Sequence, residues 1–275
     1  MELLSTRPAA VAGMFYPGDA RTLAGEVDAL LATAQANRAV SPALTFEQPK
    51  ALISPHAGYI YSGPIAASAY ALLAPYAQTI RRVVLLGPCH RVAVRGLALP
   101  SADAFDTPLG RVPVDREGVA AVAGLPQVVV SGPAHAQEHS LEVQLPFLQR
   151  MLREFAIVPL AVGDASADDV ADVLDRLWGG PETLILISSD LSHYHRYDAA
   201  ARIDRATADA IVALDPALDH EQACGATPIA GLLTVARRRG LTAHLLDLRN
   251  SGDTAGDRRR VVGYAAFAFR GAAPA

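Results

Sequence analysis

The chain has 275 residues, of which 51% are hydrophobic and 19% charged: enough apolar content for a large core, too much for global disorder. Its net charge of −4 argues against a nucleic-acid or anionic-membrane partner, and no apolar run approaches a membrane span. Two cysteines, Cys89 and Cys224, make no disulfide framework and, with no signal-like opening segment, suit a reducing cytoplasm.

Residues 1–18 read as a proline-containing arm with Met14-Phe15-Tyr16 as its apolar patch. Asp19 is placed to cap a helix carrying Leu23, Val27, Leu30 and Leu31 on one face. A polar connection over 37–49 leads into the strand Ala51-Leu52-Ile53-Ser54, which delivers Pro55 and His56. Pro64 suits a first helical position, so a helix is expected from Gly63-Pro64 to Ala77. The strand Val83-Val84-Leu85-Leu86 ends in Gly87-Pro88-Cys89-His90. Shorter strands near 94–99 and 111–114 flank a turn-rich stretch over 103–110, and 127–130 reads as another short strand.

Ser140 reads as the cap of a helix with Leu141, Leu145, Leu148 and Leu152 at helical spacing and a kink at Pro146. A strand over 157–162 precedes Ser166-Ala167-Asp168-Asp169, a capping-box pattern, and the stripe Val170, Val173, Leu174 and Leu177. Leu184-Ile185-Leu186-Ile187 runs into Ser188-Ser189-Asp190-Leu191-Ser192-His193. Helices over 198–214 and from Thr227-Pro228 to Gly240, then strands near 243–248 and 261–269, complete the chain. Lys50 is the only lysine, and the runs Arg237-Arg238-Arg239 and Arg258-Arg259-Arg260 read as solvated. Strands alternating with helices imply an α/β fold, a mainly parallel sheet covered on both faces, in a single domain over 1–275.

Three strands thus deliver polar residues at their carboxyl ends, where open α/β sheets hold their ligands. His56, His90 and Cys224 offer imidazole nitrogen and thiolate sulfur, a donor set for iron, zinc or copper. Cys224 precedes a helix start, whose dipole favours thiolate. Singly, each residue has an ordinary structural role, and spacing alone does not join them. Asp190 and His193 fit either helix capping or an orienting carboxylate beside an acid/base imidazole. His135-Ala136-Gln137-Glu138-His139 matches the H-x-x-E-H pattern of inverted zinc peptidases, but Pro133 and Ser140 look like boundaries, which puts both histidines on a loop. His139 and Glu142 can line a pocket, or Glu142 can simply favour a helix start. No G-x-S-x-G elbow, P-loop or G-x-G-x-x-G fingerprint occurs.

Five ordered segments carry a family resemblance: Pro55-His56-Ala57-Gly58-Tyr59-Ile60-Tyr61-Ser62-Gly63, Leu86-Gly87-Pro88-Cys89-His90, Glu138-His139-Ser140-Leu141-Glu142, Ser188-Ser189-Asp190-Leu191-Ser192-His193 and Cys224-Gly225-Ala226-Thr227-Pro228-Ile229. They resemble the Memo family, whose microbial members are called AmmeMemoRadiSam system protein B. The resemblance implies a three-layer α/β/α sandwich about a mainly parallel mixed sheet, similar to the LigB-like class III extradiol dioxygenases. It also implies that His56, His90 and Cys224 are metal ligands, with Asp190 and His193 as catalytic groups and Tyr59, Tyr61, His139 and Glu142 in the substrate cleft.

The expectation is a non-haem iron oxidoreductase acting on a small substrate, aromatic or not, with Fe(II) as cofactor and copper or zinc as alternatives. Where those dioxygenases use a carboxylate ligand, this chain offers Cys224, which retunes the metal. The competing expectations are a non-catalytic metal- or peptide-binding regulatory module, beside a radical-SAM partner, and a zinc-dependent hydrolase.

Overall fold

The computed structural model describes residues 5–40 and 47–271. In chain order it contains β1 (Thr6–Arg7), α1 (Ala20–Val40), β2 (Ala51–Ser54), α2 (Tyr59–Tyr70), β3 (Arg82–Pro88), β4 (Leu97–Leu99), β5 (Ala104–Thr107), β6 (Gly110–Pro113), α3 (Arg116–Val122) and β7 (Val128–Val130). There follow α4 (Gly132–Ala136), α5 (His139–Glu142), α6 (Leu145–Met151), β8 (Ala156–Val162), α7 (Ala167–Arg176), β9 (Thr183–Ser188), β10 (His193–His195), α8 (Tyr197–Val212), α9 (Ala226–Arg238), β11 (Leu241–Asn250) and β12 (Val261–Gly271). Among the described residues no helix is long and apolar enough to cross a membrane.

The large sheet has the order β10-β12-β2-β9-β3-β8-β4-β7, with β11 also paired to β12. Its middle run, β2-β9-β3-β8, is parallel, and the flanking pairs β12–β2, β11–β12 and β4–β8 are antiparallel. Successive residues of the parallel strands point to opposite faces, as a pleated strand requires. Leu52, Val83, Leu85, Leu184 and Leu186 pack with α1, α2 and α6 on one face. Ile53, Val84, Leu86, Ile185 and Ile187 pack with α7, α8 and α9 on the other. Both faces are therefore apolar, and a three-layer α/β/α sandwich buries them. A small second sheet, β1-β5-β6, anchors the amino-terminal arm.

Several local expectations hold. Asp19 accepts the Thr22 N–H at 2.9 Å at the start of α1, and Leu23 and Val27 are buried. Ser166 and Asp169 form the reciprocal capping box of α7. Others shift. Helix α1 continues to Val40, so the connection starts later than expected, and its residues 41–46 lie outside the described residues. Helix α2 starts at Tyr59 rather than Gly63, with Pro64 inside it. The Tyr59 N–H is satisfied by Phe15 O at 2.8 Å, a partner from the distant arm. Pro64 has no N–H to donate to the carbonyl four residues earlier, that of Ile60, a residue 66% exposed.

The stretch 103–110 contains strand β5, and α3, capped by Asp115, had no expected counterpart. The helix expected from Ser140 is two short ones. Glu138, not Ser140, caps α5, and Pro146 occupies the first turn of α6, where its missing N–H costs nothing. The arginine runs are not merely solvated. Arg239 pairs with Asp175 at 2.6 Å and stacks over Trp178, and Arg259 and Arg260 line a cleft described below.

Candidate metal centre

Strands β2, β9 and β3 are adjacent and parallel, so their carboxyl ends open on one side of the sheet. His56 follows β2 through Pro55, Asp190 follows β9, and His90 follows β3. Cys224 reaches the same place from the loop before α9. Its backbone N–H donates to Asp190 O at 3.3 Å, and its sulfur accepts the Asp190 N–H at 3.3 Å. Gly225 permits this approach, because a Cβ there would sit 2.6 Å from the Ser189 Cβ. Folding thus gathers three donors separated by 34 and 134 positions.

One ligand atom each from His56, His90 and Cys224 lies within 4.8 Å of the others. His56 Nε2 stands 3.4 Å from Cys224 Sγ. Tetrahedral bonds of ordinary length to nitrogen and sulfur put those atoms about 3.5 Å apart, so the pair fits a common ion. The His56 tautomer fits too. Ser188 Oγ donates to Ser140 O at 2.6 Å and accepts from Gln144 Nε2 at 2.7 Å, so towards His56 Nδ1, at 2.9 Å, it acts as acceptor. The His56 proton then resides on Nδ1, and Nε2 presents a lone pair towards the sulfur. Burial, then the neighbouring His90, holds the His56 pKa down at about 3, which keeps the ring neutral and able to ligate.

His90 Nδ1 lies 2.9 Å from Glu138 Oε1. Burial pushes the Glu138 carboxyl up, but the hydrogen bond and charge of His90 and the Ser140 and His90 amides outweigh it, leaving a pKa of about 2. Cys224 departs from expectation. Burial and then the Asp190 carboxylate push its thiol up to about 12, so the helix start does not yield a thiolate unaided. A cation held against the sulfur would supply the missing positive charge.

His56 and His90 border a cleft of about 950 Å³ lined also by Phe15, Tyr61, His139, Asp190, His193, Tyr264, Arg259 and Arg260, and Cys224 adjoins it through His56. Of the expected cleft residues, Tyr61 and His139 are there. Tyr59 is not: it is buried, donates from its hydroxyl to Val143 O at 2.7 Å and packs against Phe147. Glu142 is not there either. Fully buried, it accepts the Ala10 and Val11 N–H groups at 2.8 and 3.0 Å and pairs with Arg7, closing the arm onto the fold.

Asp190 does not orient His193; its Oδ1 accepts the His56 backbone N–H at 2.7 Å. His193 enters the cleft wall on β10. His139 stacks on His90 at 4.8 Å, and burial with the nearby His56 lowers its pKa to about 4. His135 turns away: its Nε2 donates to Ala98 O at 2.8 Å, and it joins neither group of metal-capable side chains among the described residues. The H-x-x-E-H reading fails because α4 ends at Ala136 and α5 begins at His139, so the two histidines share no helix face. Sequence reasoning did not single out Glu138, Ser188, Gln144, Arg259 or Arg260. A carboxylate one residue before His139 was the available signal for the first.

A sequence model of the family described as Memo-like protein matches residues 7–268. Similar proteins include MEMO1 family proteins from Archaeoglobus fulgidus (36% identical, covering 94% of this chain and 98% of the relative) and Methanopyrus kandleri (37%, covering 96% and 99%). One from Aquifex aeolicus is 36% identical and covers 97% of this chain and 100% of its own. The crystal structure of an uncharacterized Escherichia coli K12 protein superposes with a TM-score of 0.51 at 16% identity, covering 80% of this chain and 99% of that one. That likeness concerns the fold alone.

Proposed function

This chain belongs to the Memo family, and from that footing we propose that it is a metal-dependent redox protein in which His56, His90 and Cys224 hold non-haem iron. Copper and zinc suit the same donors as alternatives. The observation that carries the reading is the 3.4 Å separation of His56 Nε2 and Cys224 Sγ, with His90 in the same 4.8 Å group, at the carboxyl ends of parallel strands. When bound, iron supplies one-electron chemistry and open positions for dioxygen and a small substrate.

The chain's own groups then divide the work. Phe15 and Tyr61 offer aromatic walls to a planar substrate, and the arm that carries Phe15 shields the inner cleft from water. His193 is the proton carrier, facing the cleft from β10. Asp190 holds the His56 main chain and the Cys224 sulfur, so it keeps two donors in place. Neither cysteine is paired in a disulfide, in keeping with a reducing cytoplasm.

The test is anaerobic purification, iron loading, elemental analysis and oxygen-uptake measurements with small aromatic substrates. Wild type should retain iron and consume oxygen. Cys224→Ala should lose the iron; full occupancy in that variant removes Cys224 from the site. Iron-loaded wild type without oxygen uptake on any substrate favours the regulatory-module reading.

A further inference from the structure

We propose that Glu138 is a positioning residue of this metal centre, holding His90 with its proton on Nδ1 so that Nε2 is the atom offered to the ion. The assignment rests on the reading of His56, His90 and Cys224 given above. The Glu138 side chain is 1% exposed, yet every contact made by its carboxylate is with a nitrogen. Oε1 lies 2.9 Å from His90 Nδ1 and accepts the Ser140 N–H at 2.9 Å, while Oε2 accepts the His90 backbone N–H at 2.5 Å. An ionised carboxylate can only accept, so the proton between Glu138 and His90 sits on the ring. Main chain and ring of His90 are therefore gripped by one group.

His56 is set in the same tautomer by a neutral partner, Ser188. Ser140 ties the two devices together. Its N–H serves Glu138, its carbonyl accepts from Ser188, and its hydroxyl donates to Pro88 O at 2.8 Å, two residues before His90. The two histidines are consequently unequal. A hydrogen bond to a charged acceptor strengthens as the ring donates to a cation, so His90 is the more basic ligand. A rival role exists, because His139 Nδ1 lies 3.4 Å from the same Oε1 and His90, Glu138 and His139 form a second group with ligand atoms within 4.8 Å.

The experiment titrates full-length wild type, Glu138→Gln and Glu138→Asp with cobalt(II) alone under anaerobic conditions. Nitrogen NMR of the metal-free chains reads the histidine tautomers. Wild type should bind one cobalt with a thiolate-to-cobalt charge-transfer band. Glu138→Gln should weaken binding about 10- to 100-fold and deplete the Nδ1–H form of His90, and Glu138→Asp should recover part of both. Unchanged affinity with an unchanged His90 tautomer in Glu138→Gln overturns the proposal. Loss of a second equivalent of cobalt with the first intact also overturns it, since Glu138 is then a ligand. Should wild type bind no cobalt, the metal reading fails, while the tautomer measurement still decides the role of Glu138.

Discussion

Tyr59 and Tyr61 stand two positions apart in one motif and end in different environments, one buried under α6 and one at the cleft. Their fates depend on where α2 begins, because the first residue sets the phase of the whole helix. That start is fixed by Phe15 O from the arm, a contact no local pattern announces. His135 shows the same gap between type and environment. Burial depresses its pKa to about 4, whereas an unfolded chain protonates histidine near 6.5. The unfolded state then binds the extra proton first, so the contribution of His135 is complete above about pH 6.5 and is lost as pH falls towards 4. Urea unfolding of metal-free wild type and His135→Gln should therefore diverge on acidification. Wild type should lose about 3 kcal/mol more than the variant across that window. Parallel pH profiles would show that the ring takes up its proton without penalty.

At the scale of elements, long amphipathic stretches and explicit caps were legible: Asp19 before α1 and Ser166 with Asp169 at α7 act locally, through neighbours in sequence. The segment 132–151 was not, because its three short helices are held by remote partners. Arg7 donates to His135 O at 2.8 Å and Glu138 O at 2.7 Å, and its charge meets the buried Glu142. Glu142 is therefore the clasp of the arm and no part of the cleft wall. Replacing it by Gln leaves a buried guanidinium without its counter-charge and should cost about 3–5 kcal/mol. Thermal unfolding reads the loss, and limited proteolysis should show the arm cut before the rest of the chain. An arm that stays protected would assign its docking to Val11 and Tyr16 instead.

For the whole molecule, the α/β class and its two covered faces followed from apolar runs too continuous for a half-solvated sheet, such as Val83–Leu86 and Leu184–Ile187. The antiparallel flanks were less visible, since strand direction is set by connection geometry and not by composition. The convergence of His56, His90 and Cys224 was legible only through the family resemblance; nothing in their spacing requires it. The strands β2, β9, β3 and β8, covered on both sides, should exchange their amide hydrogens last, by global opening, and β1, β5 and β6 much earlier. Hydrogen exchange read by mass spectrometry checks this order, and early exchange in β9 would contradict it. Strand β12 has a particular consequence. Along one edge it pairs with β2 at Phe267–Phe269, and further back Gly263 exchanges hydrogen bonds with Leu191 and Ser192, just before His193. His56, which follows β2, and His193 therefore hang from the same ribbon, and both line the cleft. The spacing of these two cleft residues is thus referred to a single piece of backbone, and a displacement of that strand reaches both of them.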